Sequence, residues 1–310
     1  MNQNQELNYQ RYLAAKKSVD DRALNRRVWD SLRNVLRARF SDGPVRVLEV
    51  GAGIGTMIER VLECRLLIDA HYSALDLRPE NFDYAVNYLH QWAIRSGVHF
   101  EFQADNQFLI RSHGAEIRIE FATEDMFDFF QNRQAASNWD LVIASAFLDL
   151  VDISEALPVI LDALSPRGLF YFCLNFDGLT VFEPATDPKL DDLIISMYHH
   201  TMDKRLVAGL PSGDSRTGRH LFSALNGLGA VVLSAGASDW IVFPEKDGYQ
   251  VDEAYFLHFI LNTIKNSLTD CPELEKGVLD RWIERRRRQV ERAELVYIAH
   301  QLDILGAKGF

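Results

Sequence analysis

The 310-residue chain predicts an α/β protein built on a doubly wound, mostly parallel sheet. Three observations lead there. An apolar run closes on a turn with glycine at every second position, Val47-Leu48-Glu49-Val50-Gly51-Ala52-Gly53-Ile54-Gly55. A second strand pattern over residues 70–75 ends on Asp76. The uninterrupted apolar run through Leu141, Val142 and Ile143 has the composition of a central strand covered on both faces.

The elements follow in order. Leu24, Val28, Leu32, Val35 and Leu36 recur at three- and four-residue spacing, one face of a helix. Residues 1–44 are therefore expected to form an N-terminal helical region. Next comes the glycine turn, where positive φ is permitted and no Cβ blocks a ligand. Its spacing departs from the dinucleotide fingerprint G-x-G-x-x-G, because Thr56 holds the third glycine's place. Asp76 lies about 20 residues beyond the turn, where an acid can accept both hydroxyls of a ribose; a helix-start aspartate is the plainer alternative. Ile117, Ile119 and Phe121 alternate with charged residues as in a strand. That strand leads to Glu124, Asp125 and Met126, with Asp125 also able to cap the following helix. After the central strand, a helix over residues 153–164 precedes the turn Ser165-Pro166-Arg167-Gly168 and a fifth strand to Phe172. A helix over residues 219–226, ended by Gly227, leads to sixth and seventh strands at residues 230–234 and 240–243.

The stretch from Glu49 to Gly55 resembles motif I of the class I S-adenosylmethionine (SAM)-dependent methyltransferases, E/D-x-G-x-G-x-G. Residues 139–144 resemble the family's motif FDLVIA, and residues 164–168 its L-x-P-G-G segment, with Arg167 in place of the first glycine. The likeness spans residues 45–172. It implies a Rossmann-like, seven-stranded sheet and SAM as cofactor. It assigns Gly51, Gly53 and Gly55 to the cofactor turn, Glu49 to the amino end and Asp76 to the ribose. Asp125 is assigned to the adenine amino group, Met126 to the ring and Ser145 to the cofactor mouth. Phe147 falls beside the methyl group, and Tyr12, on a helix that closes over the site in many small-molecule members, becomes a substrate contact.

The remaining chain is read as additions to a core over residues 45–243. About 45 residues, 174–218, separate the fifth strand from the next helix and are expected to form an acceptor cap. Asn175 and Arg216 are its candidate substrate contacts. His200, His220 and Asp177 are its candidate general bases, histidine because its pKa lies near neutrality. The pair His199-His200 does not suit a metal, since adjacent helical side chains point ~100° apart, and no metal is expected. Residues 244–310 read as an all-helical tail whose last helix runs over residues 274–305. Its segment 255–261 is apolar nearly all round, which suits burial in the cap or in a homodimer interface.

A net charge of −11 disfavours DNA, which is bound through a basic face. The run Arg285-Arg286-Arg287-Arg288 points around a whole helix and forms no stripe. The polar start, residues 1–6, lacks the apolar core of a signal peptide. No run reaches the ~18 apolar residues of a membrane span. Three scattered cysteines read as reduced, buried and cytosolic, so a cytoplasmic protein is expected. The expected activity is methyl transfer to an oxygen or nitrogen of a small-molecule acceptor. Methylation of a protein or RNA, or SAM binding without catalysis, are the alternatives, with a nicotinamide dehydrogenase more distant.

Overall fold

The computed structural model describes residues 7–132, 138–207 and 209–309; the polar start at 1–6 lies outside them. Helices α1 (Tyr9–Ala23) and α2 (Arg26–Arg39) lead into β1 (Val45–Val50), α3 (Thr56–Glu63), β2 (Asp69–Asp76) and α4 (Pro79–Ser96). Strands β3 (His99–Ala104), β4 (Gln107–Ser112) and β5 (Ala115–Thr123) follow, then α5 (Met126–Asn132), β6 (Trp139–Ser145), a 3-10 turn Leu148–Leu150 and α6 (Ile153–Ala163). The chain continues through β7 (Leu164–Glu183), α7 (Pro188–Asp203), the small hairpin β8 (Leu206–Val207) and β9 (Leu210–Pro211), and α8 (Thr217–Gly227). It closes with β10 (Val231–Ala237), β11 (Trp240–Val242), α9 (Glu253–Leu268), α10 (Val278–Glu291) and β12 (Val296–Ala307).

The sheet order is β10-β12-β7-β6-β1-β2-β5-β4-β3, with β11 also paired to β12. The pairs β1–β2, β1–β6, β2–β5 and β6–β7 are parallel. From β1 the chain winds outward to β2 and β5 on one side and later to β6 and β7 on the other. The order therefore reverses beside β1, and a crevice opens at the carboxyl ends of β1 and β6, where such folds bind ligands.

Three expectations need correction. The sheet has ten strands among the described residues, not seven. The β3–β4 hairpin extends it past β5, held by the rings of Phe100, Phe102 and Phe108. The tail is not all helical: α10 ends at Glu291, and β12 lies antiparallel between β7 and β10, in the place expected for residues 240–243. Its period-2 pattern was masked by Gln301 and Asp303, polar residues that are buried. Asp303 accepts from the backbone N–H of Asn25 at 2.8 Å and of Leu174 at 2.9 Å, so it joins α2 to an irregular point in β7. Finally, of the three cysteines expected to be buried only Cys173 is; Cys64 is exposed and Cys271 half-buried.

The apolar helix α9 is covered within the chain by α1, α7 and α10. Arg286 ties this layer together. It is fully buried, its Nη1 donates to Pro184 O at 2.9 Å, and its guanidinium lies 5.3 Å from the Trp282 ring centre. Its Nη2 lies 2.6 Å from Asp191 Oδ1 as an ion pair turned off the ideal hydrogen-bond line. The arginine run is thus neither a stripe nor uniformly solvated: one member is core. No described helix is long and apolar enough to cross a membrane.

Candidate functional site

The glycine turn lies where β1 delivers it. Gly51, Gly53 and Gly55 have φ of 71°, 55° and 79°, a region that side chains other than glycine rarely adopt. A Cβ at Gly51 would overlap the ring of Phe147, so that ring lies directly on the turn. Gly53 donates its N–H to Asp76 Oδ2 at 2.8 Å, clamping the turn to the end of β2. Asp76 Oδ1 accepts from Arg78 N at 2.9 Å and from Asn81 Nδ2 at 3.0 Å. Asp76 is therefore held rigidly by donors from two sides of the crevice.

Glu49, on β1, is 2 % exposed and accepts a hydrogen bond from the Tyr72 hydroxyl at 2.7 Å. Burial pushes its carboxyl up to about 8, against the opposing pull of Tyr72 and Arg60. Asp125, just past β5, accepts from Phe127 N at 2.8 Å through Oδ1 and so caps α5. Its other oxygen, Oδ2, has no hydrogen-bond partner among the described residues, which lets one side chain cap and still receive a ligand.

These groups line one cavity of about 1060 Å³. Small-molecule sites span about 300–1,000 Å³, so this one lies at the upper end of that range. Glu49, Gly51, Gly53, Asp76, Asp125, Met126 and Ser145 are among the residues that line it. Helix α1 roofs the cavity, with Tyr12 stacked on Phe259 at 3.9 Å between ring centres. The roof is pinned by Gln10 Nε2 donating to Asn81 Oδ1 at 3.0 Å, by Arg78 over the Tyr9 ring at 4.5 Å, and by Asn8 N donating to the Tyr255 hydroxyl at 2.7 Å. Burial raises the Tyr12 phenol well above its ordinary value.

Six candidates fall outside this cavity. Gly55 begins α3 and packs against Leu89 rather than facing the opening. Asn175 is fully buried and donates to Leu302 O at 2.9 Å, a tie between β7 and β12. Asp177 receives Arg219 Nε at 2.8 Å, Nη2 at 3.0 Å and backbone N at 2.9 Å, which commits it to fixing the start of α8. His200 is on the exposed side of α7. His220 pairs with Asp214 beside Arg216 in a separate, shallower depression. Gly55 was placed by its motif and the other five by residue type within a loop, and a loop does not fix a side chain's direction.

Conversely, the cavity contains residues that the sequence did not single out. Lys16 and Asp20 of α1 form a buried pair at 2.7 Å, and Asp20 also accepts from Trp240 Nε1 at 2.9 Å. Asn81, Trp240, Phe259, Tyr297 and Gln301 complete the wall. The sequence carried no signal for Gln301, because the face it shares with Tyr297, Ala299 and Asp303 mixes polar and apolar residues. Among the described residues, no group of three or more His, Cys, Asp or Glu side chains is arranged to hold a metal ion.

No family model matches the sequence, and no curated protein matches it. Among solved structures, the chain is similar to geranyl diphosphate C-methyltransferase from Streptomyces coelicolor A3(2), at 9% identity over 91% of this chain and 81% of that one, with a TM-score of 0.41. It is also similar to coclaurine N-methyltransferase, at 11% identity over 90% and 70% of the two chains, with a TM-score of 0.39. Likeness at this level bears on neither the site nor its substrate, which are read from the chain's own residues.

Proposed function

We propose that the protein is a SAM-dependent methyltransferase that modifies an oxygen or nitrogen of a small molecule. The observation that supports this best is a convergence: a positive-φ glycine turn and carboxylates from three neighbouring strands, Glu49, Asp76 and Asp125, meet in one roofed cavity. The residues fit the cofactor's parts. The bare turn at Gly51 and Gly53 leaves main-chain room for the nucleoside side of the ligand. Asp76 already accepts three hydrogen bonds, and since a carboxylate offers about four acceptor sites it keeps room for one ribose hydroxyl, or for two where a ribose hydroxyl displaces the Asn81 amide. Asp125 Oδ2 suits an adenine amino group, with buried Met126 against the ring. Glu49 suits the ammonium end. When bound, SAM supplies a methyl group made electrophilic by its sulfonium.

The chain's contribution is to orient the acceptor and to keep water out. Positioning of this kind can supply ~7–11 kcal/mol of the barrier. The roof of α1 provides the exclusion, and Phe147 and Tyr12 border the space left for an acceptor. The enclosed depth supports a small molecule over a protein or RNA, and the net charge of −11 points the same way. His200, His220 and Asp177 do not face the cavity, so a proton acceptor is to be sought among the groups that do. The test is transfer of labelled methyl from SAM to a fractionated cell extract. Label in the small-molecule fraction is expected; label only in protein or RNA would overturn the substrate class.

Two binding experiments probe the proposed contacts. Asp76→Ala should weaken S-adenosylhomocysteine by ~1.5–3 kcal/mol, the worth of charge-assisted hydrogen bonds, read by titration calorimetry well below the melting point. An unchanged affinity would remove Asp76 from the site.

Glu49 predicts a pH effect. Its folded pKa of about 8 exceeds the ordinary 4.5, so the ligand-free protein prefers this group protonated. Its contribution to stability is therefore full below the unfolded value and is lost as pH rises through about 8. An ammonium ligand needs the carboxylate, and binding must expel the proton. Affinity for S-adenosylhomocysteine should rise as pH goes from about 6 to about 8, until the ligand's own amine begins to discharge. Glu49→Gln should flatten that slope; a slope that persists would assign it to another group.

A further inference from the structure

We propose that the acceptor is an aromatic or otherwise apolar molecule carrying a protonated amine, and that Asp149 is the carboxylate that pairs with this amine and takes its proton. This rests on the methyltransferase assignment above and names the substrate class of the same site.

The Phe147 ring lies on the glycine turn and lines the cavity. Further walls come from α7, α9, β11 and β12 and are largely aromatic: Tyr198, Trp240, Phe259 and Tyr297, with Tyr12 above. Ring faces attract cations, by about 0.5–2 kcal/mol each as water is excluded. The charges point the same way. Among the described residues, eight carboxylates but only three cationic side chains line the cavity. Two of the three are engaged, Lys16 with Asp20 at 2.7 Å and Arg78 over Tyr9 at 4.5 Å.

Asp149 stands apart from the other acids. It lies in the 3-10 turn four residues past Ser145 and two past Phe147, and lines the cavity. Its Oδ1 is sealed from solvent without a hydrogen bond of good geometry among the described residues. Burial raises its carboxyl above the ordinary range, against the opposing pull of its own backbone N–H and, through space, of Arg205 and Lys16. Its turn is held from outside: Ser212 Oγ donates to Leu150 O at 2.6 Å, and a Cβ on Gly213 would come within 2.5 Å of Asp149 O. Gln301, 1 % exposed on the cavity floor, likewise has Oε1 without a partner. Both orphan atoms are acceptors, and a buried acceptor left unmade costs about 1–3 kcal/mol. The complement they lack is a donor, and beside a carboxylate in an aromatic enclosure the fitting donor is an ammonium.

The proton step balances simply. One N–H bond of the ammonium breaks, its electron pair stays on nitrogen as the nucleophile's lone pair, and the proton forms an O–H bond on Asp149. Burial, by favouring the protonated carboxyl, favours that direction of transfer.

The test uses the full chain and three probes of one shape: 2-phenylethylamine, 2-phenylethanol and 3-phenylpropionate. Each is titrated by ligand-observed NMR, with and without S-adenosylhomocysteine. The amine should bind at least about tenfold more tightly than the alcohol, equivalent to about 1.4 kcal/mol, and the carboxylate most weakly. Asp149→Asn should erase the preference for the amine while S-adenosylhomocysteine affinity stays within about threefold, a change of under 1 kcal/mol. The ranking in the native chain stands as an independent test should the variant fold poorly. Equal or stronger binding of the carboxylate, an undetectable amine, or an undiminished preference in a folded Asp149→Asn overturns the assignment. Failure of the native chain to bind S-adenosylhomocysteine would instead strike the methyltransferase assignment, since the ligand-free ranking is read separately.

Discussion

Gly53→Arg is expected to abolish binding of S-adenosylhomocysteine, at least about a 100-fold loss or ~2.7 kcal/mol. Gly53 has φ of 55°, and the first side-chain atom added there would sit 3.3 Å from Leu13 of the roof. The rest of an arginine has only the cavity to occupy, in the half proposed for the cofactor. The left-handed backbone costs a non-glycine residue about 1–2 kcal/mol, so the protein should still fold. Circular dichroism and a melting curve check the fold; calorimetry reads the affinity. Retained affinity in a folded variant would mean that the ligand does not use this turn.

Arg286→Ala is expected to destabilise the protein by about 3–5 kcal/mol, the cost of removing one partner of a buried ion pair. The variant strands Asp191, whose side chain is 13% exposed, and leaves Pro184 O without its Arg286 donor. Although burial pushes Asp191 up, Trp282 and Arg286 hold its carboxyl below the ordinary range. Because α7 and α9 are neighbours in this layer, loss of the knot should also loosen the acceptor half of the cavity. Urea unfolding reads the stability; a change of under about 1 kcal/mol, typical of exposed pairs, would show that the pair is not a keystone. Arg286→Met keeps much of the packing and should cost less than alanine.

The half proposed for the cofactor could be read from the sequence because its residues are local. Glu49, Gly51 and Gly53 follow one another on a strand and its turn, while Asp76 and Asp125 sit at or just past strand ends, where direction is set by the pleat. The half proposed for the acceptor was not legible, since it is assembled from α1, α7, α9 and β12, which meet only in three dimensions. Tyr12 and Phe147, singled out in the sequence, line the cavity; Tyr297 and Gln301 line it too but were hidden in a segment expected to be helical. There the buried polar residues Gln301 and Asp303 interrupted the apolar alternation that would have marked β12 as a strand. His200, His220, Asp177, Asn175 and Arg216 were chosen for type and neighbourhood. Asp177 turned out to be engaged by Arg219, and the Asn175 amide donates to the backbone of β12, work that a sequence does not distinguish from catalysis.

The most direct test of the central claim is titration calorimetry of the folded native chain with SAM and with S-adenosylhomocysteine. One ligand bound per chain is predicted for each, the two competing for the same site and both lost in Gly53→Arg. Absence of heat with either, or tighter binding of NADH than of S-adenosylhomocysteine, would contradict it.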